Sequence, residues 1–549
     1  MNDSNHDEYL PEEEPATETP ESPISSKPEW PNPPYFEWAP PRIGVWIDAE
    51  QGYSLPPREA VQIGGNSPEE KPPGGLFGWS EVFCWALIVG ITGLIFLLTV
   101  WGQLNPDSTN SDASQKKGHL MQIQLNGKFL VFGNRTGNSD VLGAFNARDL
   151  IRQGSLMERY AGVILVAEVE SPQSAFRLFG DIDADIRLYG YQPTEMEVRL
   201  RAILENILQR RTQAKVFDGR DVDPDDREFL VQQLGWLGKV ALTPASSPDL
   251  EARKEVEAAA TVALVGVVVL GLGFIGMLLL GFGLLITGIV MAATGKMRGQ
   301  LPNWSGNGLI YLETFTIWIM IFFGMQFSLQ FVGMPQHQMI SLLPLVFFGS
   351  LGVLIWPLMR GIGMGQMLSD LGLAGRRKIA NAFLGIPSYF AIAPVVVVAA
   401  VVNLVAAGFV LSMVLPEGNP FEPSQGVGHP LQDELAAAGP WALWGVVISL
   451  CVAAPIVEEI FFRGVFYRYL RDRFARWQRW LAVMAAALVN SAIFAAIHPQ
   501  GILGILLLTT LAIGLTLARE WRGSLYPSIV MHAINNGLVT VLLLVVFIS

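Results

Sequence analysis

The sequence contains few charged residues and almost no cysteine. Only 16% of its 549 residues are charged, 51% are hydrophobic, and the mean hydropathy is +0.36. Soluble domains carry roughly 25% charged residues, so this composition argues against a soluble protein and indicates a polytopic membrane protein. The two cysteines, Cys84 and Cys451, lie far apart in apolar segments. They therefore indicate neither a disulfide framework nor a zinc ribbon.

Several catalytic signatures are also missing. The chain has no GxSxG nucleophile elbow and no HExxH metalloprotease motif. Cys451 lies two turns before the acidic pair described below, too far to replace water as a nucleophile. The N-terminus lacks a basic segment followed by an apolar run, so no cleavable signal peptide is predicted.

The net charge of −12 comes mostly from the N-terminal tail. Residues 1–80 contain 15 Asp and Glu against 4 Lys and Arg, and 15 of the 35 prolines. Such a segment cannot bury enough apolar surface to offset the entropy of ordering, so we predict a disordered acidic tail. Its aromatic and proline-rich stretch, residues 30–42, is either a polyproline docking peptide or a plain linker.

A membrane span is predicted at residues 81–101, followed by a soluble α/β domain at residues 118–245. Within that domain, Asn126-Gly127 in an alternating segment predicts a hairpin, and the apolar run at residues 161–168 predicts a buried strand. Thr194 and Glu197 form a capping box that predicts a following helix. No nucleotide loop or metal cluster is apparent in this domain.

The rest of the chain is predicted to be membrane-embedded, as accessory spans at 258–378 and a core at 379–549. The fold class is thus an all-α polytopic membrane protein of about 8–10 spans, with the inserted α/β domain and the tail. The apolar stretch from residue 258 to 295 exceeds the length of about 20 residues that one span needs. We therefore predict a helical hairpin turning at residues 271–276.

The charge of the loops predicts their orientation. Residues 468–479 are rich in arginine, whereas residues 416–439 contain acidic residues and no Lys or Arg. The positive-inside rule places the arginine-rich loops in the cytoplasm. With the hairpin, the soluble domain is also cytoplasmic and the tail lies outside; without it, the two exchange sides.

Two adjacent carboxylates, Glu458 and Glu459, interrupt an apolar segment. An ionised Glu at the bilayer centre costs about 2.5–3.5 kcal/mol, so such a pair indicates a functional site with buried polar partners. Glu459 and Arg463 share a helix face at i,i+4 spacing and can form an ion pair, which leaves Glu458 free to face another partner.

Further polar groups follow at helical spacing in two later spans. Phe494 and His498 share one face, as do His532 and Asn536. A Glu and a His can activate water, and a His and an Asn can stabilise an oxyanion, which together suit peptide hydrolysis. The rise per residue places these groups at different depths, so their convergence does not follow from the sequence.

The segments EEIFFRG (Glu458 to Gly464), FAAIH (Phe494 to His498) and HAINN (His532 to Asn536) resemble the three motifs of the CPBP family. That family comprises CAAX prenyl proteases and bacteriocin-processing (Abi) proteins, and the resemblance covers roughly residues 370–549. It implies a glutamate-dependent intramembrane endopeptidase without a cofactor, whose pocket opens to the cytosol.

The resemblance also assigns roles to the residues. Glu458 and His498 would activate water, and His532 and Asn536 would hold the oxyanion. Glu459, Arg463 and Phe494 would support them. The expected partners are the lipid bilayer and a membrane-anchored peptide or protein substrate, without nucleic acid, in a multi-pass protein of a bacterial plasma membrane.

Three alternatives remain at this level. Glu459–Arg463 could be a structural pair, and the histidines and Asn536 could only join helices. A zinc protease could use Glu458, His498 and His532 as ligands. A transporter or scaffold could use the same cluster as a proton relay, although no repeat of broken helices supports this.

Overall fold

The computed structural model describes residues 78–104, 112–137, 154–213, 216–297, 299, 301, 306–329, 331, 336–414 and 440–548. These residues form helices and connecting turns, without a strand. The predicted disordered tail lies outside the described residues, apart from its last three.

The helices fall into an N-terminal group and a C-terminal group in chain order. The first group is α1 (Trp79–Leu104), α2 (Asp112–Thr136), α3 (Leu156–Val169), α4 (Pro172–Tyr189), α5 (Glu195–Gln213), α6 (Pro224–Leu234), α7 (Trp236–Leu242) and α8 (Leu250–Ala293). The second is α9 (Gly308–Leu329), α10 (Gln336–Ser350), α11 (Ile355–Met359), α12 (Met364–Asp370), α13 (Lys378–Val414), α14 (Pro440–Ile448), α15 (Ala454–Glu458), α16 (Tyr467–Arg473), α17 (Arg479–Ala496), α18 (Ile505–Arg522) and α19 (Tyr526–Ile548).

The prediction of an α/β fold for the soluble domain is wrong. Helices α2 to α7 and the first turns of α8 share one buried apolar core. The Asn126-Gly127 pair lies inside α2 and makes no turn. A Cβ on Gly127 would lie 2.8 Å from Leu165 Cδ2. The glycine therefore serves close packing of α2 on α3.

The predicted strand is the middle of helix α3, which is buried on all sides. A short apolar run does not distinguish a buried strand from a buried helix. The capping box formed by Ser155 and Glu158, directly before the run, starts the helix. The capping box predicted for Thr194 and Glu197 is confirmed, because each side chain bonds the backbone N–H of the other.

The predicted hairpin is also wrong, since α8 runs unbroken for 44 residues. At 1.5 Å per residue it is about 66 Å long, roughly twice the hydrocarbon thickness of a bilayer. Its first turns lie in the domain, where Arg253 pairs with Glu168 at 2.7 Å and Val256 accepts a hydrogen bond from Trp236. Helices α2 to α7, which we call the helical domain, therefore pack around the N-terminal turns of α8.

Seven helices among the described residues are long and apolar enough to cross a membrane. Their spans are Ser80–Gln103, Leu250–Ala293, Gly308–Leu329, Leu342–Met359, Lys378–Val410, Leu443–Arg473 and Arg479–Ala496. The predicted first span is among them. Helices α18 and α19 pack beside α13 and beside each other, with 18 and 23 residues.

Contacts of α1 fix which parts of the chain lie at the same end of the bundle. Its beginning is held at the arginine-rich segment, where Glu81 pairs with Arg473 at 3.2 Å and Trp85 donates to Tyr469. Its other end bonds the turn before α18, through Gln103 to Gln500. The helical domain, which follows α1, therefore begins from the end of the bundle opposite the arginine-rich segment.

The segment after α8 returns to the arginine-rich end, where Arg479 donates to the carbonyl of Gly299 at 2.6 Å. A single span at α8 is thus consistent with the contacts of α1. With the arginine-rich loops in the cytoplasm, the positive-inside rule then predicts the helical domain outside. This is the arrangement expected without the hairpin.

Candidate active site

The helix that carries Glu458 and Glu459 is irregular. Between Pro440 and Arg473 it contains two π-helical segments, Ser449–Ala453 and Glu459–Phe466. Such π segments are rare and occur frequently at functional sites, because they turn side chains away from the regular helical faces. The second one begins at Glu459, so the paired carboxylates lie at the junction of α15 with the π segment.

Glu459 is the buried anchor of the site. It is fully buried, as is Arg463, and Arg463 Nη1 donates to Glu459 Oε1 at 2.9 Å. The same oxygen lies 3.0 Å from His532 Nδ1. The predicted i,i+4 ion pair is therefore present, and it also holds the imidazole of α19. With its Nδ1 on Glu459, His532 presents Nε2 to the other side.

Glu458 faces both imidazoles. Its Oε2 lies 3.8 Å from His498 Nε2 and 3.8 Å from His532 Nε2. That separation is too long for a direct hydrogen bond, and Oε2 has no hydrogen-bond partner among the described residues. A water molecule beside the pair can lie within hydrogen-bond distance of both atoms at this spacing. The exposed fractions are 12% for the Glu458 side chain and 19% for that of His498, against 4% for His532.

Phe494 and backbone contacts orient His498. Its Nδ1 lies 2.5 Å from the carbonyl oxygen of Phe494, which makes Nδ1 the protonated nitrogen of the neutral ring and leaves the Nε2 lone pair toward Glu458. The Phe494 ring packs on His498 with centroids 4.3 Å apart, and the Arg463 guanidinium lies 4.4 Å from the Phe494 ring centroid. Phe494 thus joins the ion pair to the imidazole, as the i,i+4 spacing predicted.

Asn536 lies beside the irregular helix that carries Glu458, and one of its two amide hydrogens is bonded to that helix. Its Nδ2 donates to the carbonyl of Leu450 at 2.9 Å. Leu450 is in the first π segment, and Pro455, five residues on, has no N–H to give that carbonyl. Asn536 therefore supplies a hydrogen bond that the helix backbone lacks, and retains one further amide hydrogen.

Asn535, to which the sequence assigned no function, orients Asn536. Its Nδ2 donates to Asn536 Oδ1 at 3.2 Å, and Tyr389 on α13 donates to Asn535 Oδ1 at 3.5 Å. Sequence reasoning missed Tyr389, which lies in an apolar segment without a motif. It also assigned nothing to Asn490, whose buried amide donates to Thr516. An uncharged amide in an apolar span was the available signal for Asn490 and Asn535.

The structure therefore brings Glu458, Glu459, Arg463, Phe494, His498 and His532 into one cluster, with Asn536 bonded to the same helix. The different depths inferred from the sequence do not prevent this. Among the residues that the structure describes, no group of three or more His, Cys, Asp or Glu side chains is arranged to hold a metal ion.

Residues 440–538 match a protein-family model described as "Rce1-like: Type II CAAX prenyl endopeptidase Rce1-like". No curated protein and no solved structure matches the chain. The matched segment contains all four predicted catalytic residues, whereas α1 and the helical domain lie outside it. The resemblance inferred from the three motifs is thus confirmed, since residues 440–538, which carry all three motifs, match the model of the Rce1-like, type II CAAX prenyl endopeptidases.

Proposed function

We propose that the protein is a glutamate-dependent intramembrane endopeptidase that hydrolyses a peptide bond of a membrane-associated protein or peptide. The observation that carries this proposal is the position of Glu458 Oε2, 3.8 Å from two imidazole nitrogens and without a hydrogen bond of its own. A carboxylate left unpaired in this way at membrane depth is costly unless it has a function.

In the proposed reaction, a water molecule lies beside the pair and donates its hydrogens to Glu458 Oε2 and His498 Nε2. Glu458 takes a proton from that water as the oxygen attacks the peptide carbonyl, which forms the new C–O bond. The C–N bond then breaks, and the proton passes from Glu458 to the leaving amine. The partial exposure of both side chains supports access of water to this pair.

His532 and Asn536 stabilise the oxyanion in this proposal. His532 donates from Nε2 when it is doubly protonated, and the Glu459 carboxylate on its Nδ1 stabilises that charge. Asn536 contributes the amide hydrogen that Leu450 does not use. Removing one donor of an oxyanion hole typically costs about 2.7–4 kcal/mol of transition-state stabilisation.

The test compares membrane peptides in cells that produce the wild-type protein or the Glu458→Gln variant. We expect the substrate to accumulate uncleaved in the variant, with a rate loss of roughly 10²–10⁴-fold, because a general base contributes that much. Glu313→Gln is the matched control, since Glu313 is a glutamate of α9 that pairs with Arg360 away from the site. Cleavage that persists in Glu458→Gln would contradict the role of Glu458.

A zinc-dependent mechanism is the second candidate, because a carboxylate oxygen and two imidazole nitrogens face one another here. Donors at about 2.0–2.1 Å around tetrahedral zinc lie roughly 3.3 Å apart, somewhat closer than these atoms. We propose that no metal is needed and expect cleavage by purified protein to survive dialysis against a chelator. Loss of activity that zinc alone restores would favour the metal mechanism.

A proton relay in a transporter or scaffold remains the non-enzymatic alternative. It would leave membrane peptides identical in wild type and Glu458→Gln, while ion or solute flux across vesicles would differ. The peptide comparison therefore separates the two classes of function directly.

A further inference from the structure

The turn that follows His498 joins α17 to α18 at the end of the bundle opposite the arginine-rich segment, and it contains only a short 3-10 helix, Gly501–Leu503. We call residues 497–504, between α17 and α18, the His498 turn. Backbone groups outside regular helix need hydrogen-bond partners at membrane depth, because lipid supplies none. The turn bonds itself at two places, from Gly501 N–H to the His498 carbonyl and from Gly504 N–H to the Gly501 carbonyl.

A carboxamide from α1 bonds the backbone of this turn at two points. Gln103 Nε2 donates to the carbonyl of Gln500 at 2.8 Å, and Gln103 Oε1 accepts from Ile502 N–H at 3.3 Å. The fit is close at Gly501, which has φ +50°, since a Cβ there would lie 2.7 Å from Gln103 Oε1. The donor and the acceptor of one side chain thus bracket Gly501.

A second carboxamide, from α13, bonds the other half of the turn. Asn403 is 4% exposed, and its Nδ2 donates to the carbonyl of Leu503 at 2.6 Å. Its Oδ1 accepts from Leu506 N–H at 2.9 Å. Leu506 is in the first turn of α18, where the helix leaves N–H groups without a partner of its own. Asn403 therefore fixes the turn and caps the helix that follows.

We propose that Gln103 and Asn403 are positioning residues that hold the His498 turn, and through it the imidazole, at its working distance from Glu458. This inference rests on the proposed proteolytic function. Both amides come from helices outside the segment that matches the family model. An amide in an apolar span that only filled space would be costly, whereas each of these satisfies two backbone groups.

The proposal also explains how α1 is integrated with the catalytic helices. Its beginning is tied to Arg473 and Tyr469, and its end is tied to the turn after His498. The helical domain begins eight residues after Leu104, at Asp112. A displacement of the end of α1 would therefore act directly on the turn that carries His498.

The test uses full-length protein in lipid nanodiscs and the near-isosteric variants Gln103→Met and Asn403→Leu. Hydrogen exchange followed by mass spectrometry reports on the amides of Ile502 and Leu506 without any substrate. Each variant loses two hydrogen bonds, so we expect exchange to rise at least about five-fold, at Ile502 for Gln103→Met and at Leu506 for Asn403→Leu. Peptides from α9 should stay unchanged.

Thr510→Val is the matched control. Its hydroxyl donates to the Leu506 carbonyl within α18 and joins no second helix. Exchange in the turn should stay as in the wild type. If Gln103→Met fails to insert, Gln103→Asn, which withdraws the amide by one methylene, takes its place.

Activity is measured on the peptide found in the Glu458→Gln comparison. We expect kcat to fall roughly 10–100-fold with KM within about two-fold, since a displacement of about 1 Å of a catalytic group can cost 10²-fold. Unchanged exchange, or faster exchange with unchanged kcat, would overturn the proposal. If no peptide differs in that comparison, the protease proposal fails, while exchange still decides whether the two amides hold the turn.

Discussion

The helical domain and the helices of the candidate site both bury glutamates, and the surroundings of these glutamates differ. In the domain, Glu168 lies 2.7 Å from Arg253 and 4.0 Å from Arg211, with its side chain 1% exposed. In the bundle, Glu458 has only two imidazoles at 3.8 Å and is 12% exposed. A buried carboxylate that serves the fold is neutralised by direct contact. Glu458, which we propose as the general base, has no such direct contact at Oε2.

Glu459 combines features of both regions. It is paired as closely as Glu168, yet it also holds His532. Neighbouring glutamates in one motif thus have different surroundings, since Glu459 contacts a guanidinium and an imidazole directly, whereas Glu458 Oε2 lies 3.8 Å from two imidazoles. The distances to the neighbouring guanidinium and imidazole groups separate the two, and the sequence alone does not.

The largest effect should come from removing the arginine of each buried pair. Arg463→Met leaves Glu459 without its guanidinium partner, and such a change lowers the free energy of unfolding by about 3–5 kcal/mol. Arg253→Met should cost less, because Arg211 remains near Glu168. Thermal unfolding of purified protein in micelles measures both.

The double variant Glu459→Gln with Arg463→Met is the control. It removes both charges and should regain part of the stability without regaining activity, since His532 loses its carboxylate. Equal losses for Arg463→Met and Arg253→Met would erase the contrast between the two pairs.

The sequence predicted the local features of the site and not its assembly. The Glu459–Arg463 and Phe494–His498 pairs follow from i,i+4 spacing on one helix, which needs no tertiary information. The approach of Glu458 to His498 and His532 depends on three helices and two π segments. A depth calculated from a uniform rise per residue contains neither the positions of the three helices relative to one another nor the effect of the π segments.

The sequence was misleading where a short signal had two explanations. Asn126-Gly127 is a strong hairpin signal, but in α2 the glycine provides room for Leu165. The glycines near residue 273 suggested a turn, yet they lie inside α8 with no neighbour within 4 Å. In both places tertiary packing or helix continuity overrode a local preference.

An intermediate effect concerns pH and the helical domain. Burial raises the pKa of Glu158 from 4.5 to about 7. Between these values the folded domain binds more protons than the unfolded chain, so stability is complete below about pH 4.5 and falls as pH rises through about 7. The total change is about 3 kcal/mol.

The Glu158→Gln variant should remove this pH dependence, because the amide can still accept from Ser155 N–H but does not ionise. Hydrogen exchange in α3, corrected for its intrinsic pH dependence, follows the domain in full-length protein. If the stability of the domain still falls with rising pH in Glu158→Gln, the pH dependence belongs to another group. Hydrogen exchange in the helices of the candidate site should be the same in wild type and Glu158→Gln, so the measurement distinguishes the two regions.

The smallest effect compares one glycine from each region. In the domain, the Cβ of Gly127→Ala would lie 2.8 Å from Leu165 Cδ2 and 3.3 Å from Leu237 Cδ2. Overpacking of this kind costs about 1–3 kcal/mol, partly offset by the gain of up to about 1 kcal/mol in helix propensity. Gly276→Ala, in α8, meets nothing within 4 Å and should be neutral or slightly stabilising. Thermal unfolding of both variants tests this. A loss for Gly276→Ala as large as that for Gly127→Ala would mean that residue 276 lies at a turn or a contact, and would reopen the hairpin and with it the side of the membrane on which the helical domain lies.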